Sequence, residues 1–99
     1  MIIVTGSVTA SPETDAEMAE HCLAHVQRSR LEDGCLLHSV HRDLENHHRF
    51  VFVEHWRSRA ALDQHFQVPD SIGFVQTIRA LAVDATKMQI FETARSDDR

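Results

Sequence analysis

Arg49-Phe50-Val51-Phe52-Val53-Glu54-His55-Trp56-Arg57 is the stretch that decides the fold of this 99-residue chain. Aromatic and β-branched side chains dominate it, and these pack best on the pleated surface of a sheet. Side chains alternate across a strand, so Phe50, Phe52, Glu54 and Trp56 share one face and Val51 and Val53 the other. Both faces therefore carry apolar groups. A small domain covers one face of its sheet with its own helices, and the second apolar face implies a layer supplied by a partner chain.

Upstream, Cys35 to Arg42 reads as a second strand, with Cys35, Leu37 and Ser39 on one face and Leu36, His38 and Val40 on the other. The polar turn from Asp43 to His47 makes the two strands a hairpin. Ile2 to Ala10 is a first strand, closed by Ser11-Pro12. Pro12, Glu13, Asp15 and Glu17 then start a helix, with acidic groups at its positive end. Ala19, Cys22, Leu23 and Val26 recur at helical spacing, and the helix runs to about Leu31, before Gly34.

Downstream, Ser58 caps a short helix through Ala60, Ala61, Leu62 and His65. Pro69 opens another through Ile72, Phe74, Val75, Ile78 and Leu81, and Thr86 to Thr93 is the last strand. One domain thus spans 1–95, followed by a frayed tail over 96–99. The order β-α-β-β-α-α-β is the split β-α-β arrangement of a ferredoxin-like α+β fold, an antiparallel sheet with helices on one face.

Composition narrows the function. Ten basic residues stand against fifteen acidic ones, a net charge of −5, which disfavours nucleic acid as a partner. No run approaches the roughly 18 apolar residues of a membrane span. The first residues, Met1 to Gly6, read as a strand rather than an export leader. Cys22 and Cys35 are too few for a disulfide framework. Reduced, buried thiols and a cytoplasmic location are the expectation.

Several motifs occur together in order: Glu32-Asp33-Gly34-Cys35-Leu36, Phe52-Val53-Glu54-His55-Trp56, Ala60-Ala61-Leu62-Asp63-Gln64-His65 and Phe91-Glu92. In this order and spacing the chain resembles the antibiotic biosynthesis monooxygenase family. Asp33 stands where members often have proline, and His38 where a tyrosine is common. The resemblance implies a homodimer whose sheets pack face to face into an α/β barrel, with a pocket between sheet and helices. It implies oxidation of a small phenolic or quinone-type aromatic by O₂ without metal or other cofactor. An electron-rich phenolate can itself reduce O₂, so the protein need only bind the ring, favour its anion and exclude water. Haem-degrading relatives carry an asparagine where this chain has Gly6 and a histidine on the helix where it runs from Ile72 to Leu81 without one. That chemistry is excluded.

His65 falls between Ala61, Leu62 and Phe66 on the apolar side of its helix. An imidazole there is either a base titrating near neutral pH or a core histidine bonded to backbone. Glu54, a carboxylate on an apolar strand face, needs a partner. His65, Arg57 and Arg79 are the candidates. Under the resemblance His65 and Glu54 are catalytic, while Trp56, Phe52, Phe74 and His38 contact substrate. Each of those four is equally readable as core.

His21 and His25 have the i, i+4 spacing of metal ligands, but they share their side of the helix with Glu17 and Arg28. That side reads as solvated, with no third ligand, so no metal site is expected. A non-catalytic ligand-binding barrel and an isomerase of a small carbonyl metabolite are the alternatives to an oxygenase.

Overall fold

The computed structural model describes residues 1–94, so the tail expected over 96–99 lies outside the described residues. The elements are β1 (Ile2–Ala10), α1 (Asp15–Ser29), β2 (Cys35–Asp43), β3 (Asn46–Trp56), α2 (Arg59–Gln67), α3 (Pro69–Leu81), β4 (Ala82–Ala85) and β5 (Gln89–Glu92). The antiparallel sheet has the order β2-β3-β1-β4, and β5 continues along the edge of β1 that β4 begins. This is the ferredoxin-like α+β fold, with three helices among the described residues.

The β3 alternation holds. Phe50, Phe52, Glu54 and Trp56 are buried while Val51, Val53 and His55 are only half-buried. In α2, the Ser58 hydroxyl caps the helix by accepting the Ala61 N–H at 3.2 Å. Pro69 opens α3, where its missing N–H costs nothing. The inner sheet face and the helices enclose two clusters. One joins Val8, Met18, Cys22, Val26, Phe50 and Phe52, and the other joins Ile2, Val4, Trp56 and Leu62.

Four expectations are corrected. The last strand is two short ones, not one from Thr86 to Thr93. The Ser7 N–H donates to the Thr86 hydroxyl at 2.9 Å, and the Thr86 N–H donates to the Ser7 carbonyl at 3.0 Å. A side-chain oxygen has replaced a ladder acceptor there, and the chain between β4 and β5 leaves the pairing.

The face assignment of β2 fails at its start. A bulge lies between Cys35 and Leu37, so Cys35 pairs with Trp56, Leu37 with His55 and His38 with Glu54. One extra residue shifts the alternation. Cys35 therefore turns toward the Trp56 cluster, and Leu36 is exposed. Cys35 is half-buried, not buried as expected, whereas burial pushes the Cys22 thiol up to about 12.

The buried stripe of α1 is Met18, Cys22, His25, Val26 and Ser29, whereas Leu23 is half exposed. The spacing 18, 22, 25, 29 is a 4-3-4 helical stripe, and it carries His25 inward. The expectation that His25 lies on a solvated side is overturned.

Gly34 has φ +85°, and a Cβ there would lie 2.5 Å from the Ala61 Cβ. Its carbonyl accepts the Arg57 N–H at 2.8 Å, tying the α1–β2 loop to the end of β3. Left-handed strain and overpacking together should make Gly34→Ala cost roughly 2–5 kcal/mol. Urea unfolding would measure this, and a midpoint equal to that of the unsubstituted chain would show that the loop is not held as described.

Candidate functional site

Between the inner sheet face and α2 and α3 lies a cavity of about 540 Å³. Val4, Gly6 and Val8 of β1 and Phe52 and Glu54 of β3 form its floor. Phe66, Ile72, Phe74 and Ile78 wall it. Its volume suits a small organic ligand, and its lining is apolar with a few polar groups converging at one end.

His65 is one of those groups. α2 carries it inward beside Leu62, and it is 4% exposed. Its Nδ1–H donates to Glu32 Oε1 at 2.9 Å. A carboxylate can only accept, so this bond assigns the proton of the neutral ring to Nδ1 and leaves Nε2 with a lone pair. Among the described residues Nε2 has no hydrogen-bond partner, and the ring lines the cavity. The indole of Trp56 backs it at 4.6 Å between ring centroids.

Glu32 comes from the α1–β2 loop. Arg28 Nη1 donates to its other oxygen at 2.9 Å, and Arg28 Nη2 donates to the Ser71 hydroxyl at 3.0 Å. The loop is tied down by the Cys35 N–H donating to the Glu32 carbonyl at 3.2 Å. A relay Arg28–Glu32–His65 is thus braced against α3, and it holds the imidazole in one tautomer and one orientation.

Two further imidazoles stand beside His65. His25 is stacked on Phe74 at 3.9 Å, with 3° between the ring planes, and its Nδ1 accepts from Arg28 Nη2 at 2.8 Å. Burial, with the neighbouring His38, His65 and Arg28 charges, pushes His25 down to about 3, so it is neutral at physiological pH. His38 comes from β2, fully buried, and neither ring nitrogen has a hydrogen-bond partner among the described residues. Its Nε2 lies 3.3 Å from Glu54 Oε1, opposite it in the sheet register, in an ion-pair contact without hydrogen-bond alignment. The three ring centroids are 5.2, 5.4 and 5.5 Å apart.

Glu54 Oε1 also accepts the Trp56 indole N–H at 2.9 Å. Burial pushes this carboxyl up, but the contacts from His38 and Trp56 outweigh it, and Glu54 sits below the usual carboxylate range.

The antibiotic biosynthesis monooxygenase family model matches residues 1–77. The chain belongs to this family. An uncharacterised protein of Synechocystis is 33% identical over 96% of the chain, which spans 65% of that protein's length. The Bacillus subtilis protein YcnE, provisionally named a monooxygenase, is 28% identical, over 76% of this chain and 79% of its own. A crystal structure from Deinococcus radiodurans, provisionally described as an antibiotic biosynthesis monooxygenase, superposes with a TM-score of 0.93. It is 29% identical, with 100% of this chain and 98% of that one covered.

Within this member of the family, the residues singled out in the sequence fall into two groups. His65, Glu54, Phe52 and Phe74 line the cavity. Trp56 and His38 do not; both are fully buried behind its polar end. Glu54 pairs with His38 and Trp56, not with His65, Arg57 or Arg79 as anticipated. Sequence reasoning missed Glu32, Arg28 and the inward position of His25. The 4-3-4 stripe of α1 could have revealed His25, but nothing local signals that Glu32 reaches α2 across 33 residues.

No helix among the described residues is long and apolar enough to cross a membrane.

Proposed function

We propose that the cavity binds a small phenolic or quinol-type aromatic and that the chain is a monooxygenase oxidising it with O₂. The observation that carries this is His65, which lines an apolar cavity while Glu32 holds its Nδ1 proton and leaves Nε2 without a hydrogen-bond partner among the described residues. Nε2 would take the phenolic proton, and the Glu32 carboxylate would stabilise the resulting imidazolium. The phenolate then gives one electron to O₂, and the radical pair joins at a hydrogen-bearing ring carbon ortho or para to the oxygen. Loss of water from the ring hydroperoxide leaves a quinone. Phenol plus O₂ thus becomes quinone plus water, with the four electrons for O₂ drawn from the substrate. Phe52, Phe66 and Phe74 provide flat apolar surface for the ring.

The working unit in this reading is a homodimer. Ile3, Val51 and Val53 stand half-buried on the sheet face that no helix among the described residues covers. A second copy's sheet would bury them. Sedimentation at micromolar concentration should give a dimer, and a stable monomer would contradict it.

The deciding experiment is oxygen uptake by the wild-type protein with a panel of dihydroxynaphthalenes and quinols. Turnover with stoichiometric O₂ and quinone product is expected. Tight binding of panel members without oxygen uptake would instead assign a non-catalytic binding role to the cavity.

A further inference from the structure

Three imidazoles from three elements meet at the polar end of the cavity: His25 from α1, His38 from β2 and His65 from α2. All three are buried, and one ring nitrogen from each lies within 4.8 Å of those from the other two. We propose that they form a binding site for a divalent transition-metal ion of the zinc, copper, nickel or cobalt class.

His38 makes the strongest argument. A ring nitrogen buried without a hydrogen-bond partner is costly; among the described residues neither nitrogen of His38 makes an aligned hydrogen bond, and only Nε2 has a polar contact, the Glu54 carboxylate at 3.3 Å. A metal ion would give one of them a ligand bond. Three nitrogens bound at ordinary metal–nitrogen lengths stand roughly 3.3 Å apart, so small side-chain rotations would close the cluster. Three neutral imidazoles are the ligand set of open zinc sites, and imidazole also binds copper, nickel and cobalt, with copper the tightest.

The surroundings fit the same purpose. Ligating histidines commonly give their other N–H to a carboxylate, which fixes the tautomer and strengthens the donor. Glu32 holds His65 in that way at 2.9 Å, and Glu54 stands 3.3 Å from His38. His25 differs, because Arg28 donates to its Nδ1. On metal binding Arg28 would give up that bond while keeping Glu32 and Ser71. His25 and His65 both line the cavity, so the ion's remaining positions would face it. A phenol oxygen there would meet a Lewis acid in place of the His65 base. The inference shares His65 with the proposed function but stands on the cluster alone.

The test uses chelator-treated full-length protein titrated with zinc chloride by calorimetry, and with cobalt(II) followed by visible absorption. One tight equivalent per chain is expected, with a cobalt spectrum of low coordination number. His25→Gln and His38→Gln should each weaken binding roughly 100-fold, a ligand costing at least as much as an outer-shell partner. The neighbouring pair of exposed His47 and half-buried His48 is the rival site, and His47→Ala/His48→Ala should leave the tight equivalent intact. Should a ligand variant fail to fold, the wild type still decides. Its melting temperature should rise with zinc over chelator, and bound copper(II) should show nitrogen hyperfine splitting from three imidazoles.

Absence of a tight equivalent, its survival in both ligand variants, or its loss with His47 and His48 would each overturn the proposal. Metal binding without aromatic oxidation would remove only the proposed function, and oxidation without metal binding would remove only this inference.

Discussion

His65→Ala should lower kcat/KM for the best quinol by about 10²–10⁴-fold, the range contributed by a positioned general base. The fold should survive, because the substituted side chain borders the cavity and α2 keeps Leu62 and its Ser58 cap. The loss should fall mainly on kcat, since removing the base leaves the apolar ring surface of Phe52 and Phe74 in place. Glu32→Gln should produce a smaller drop in the same direction. Its amide oxygen can still accept the Nδ1 proton and hold the tautomer, but the charge that stabilises an imidazolium is gone. Rates unchanged in His65→Ala would take this imidazole out of the mechanism.

Trp56→Phe should destabilise the protein by about 1.5–3 kcal/mol, the range for losing a hydrogen bond to a charged group. Phenylalanine keeps most of the packing against Ile2, Val4 and Leu62 but removes the N–H that Glu54 accepts at 2.9 Å. The carboxylate would then be buried with only the imperfectly aligned His38 beside it. Trp56→Ala adds a cavity in a fully buried site and should cost about 3–5 kcal/mol or more. A double-mutant cycle isolates the electrostatic part. In a Glu54→Met background Trp56→Phe should cost less than about 1 kcal/mol by urea unfolding. Equal costs in both backgrounds would mean that Trp56 serves only as bulk.

These two residues behave differently because they answer to different constraints, although both stand out in the sequence. Trp56 was legible as an inward residue from the alternation of β3, but that alternation could not separate cavity wall from solid core. The structure places the indole behind the cavity, where it anchors a carboxylate and backs His65. Glu54 was legible as a residue in need of a partner. Which partner depended on the register of β2 against β3, set by a bulge at Cys35–Leu37 that nothing in the local pattern announces.

By itself the sequence determined the element order through α3, the inward face of β3, the helix starts at Ser58 and Pro69 and the inward turn of His65. Each follows from interactions between residues close in the chain: strand alternation, helical spacing, and backbone preferences at helix starts. Tertiary structure alone decided the chemistry at the cavity's end. His25, His38 and His65 are 13 and 27 residues apart, so no local period relates them, and Glu32 is brought to His65 by a loop turned at Gly34. Their meeting is fixed by how α1 and α2 pack on the sheet and by one extra residue in β2. Side-chain convergence across three elements is a property of packing, and packing has no signature in a local stretch of sequence.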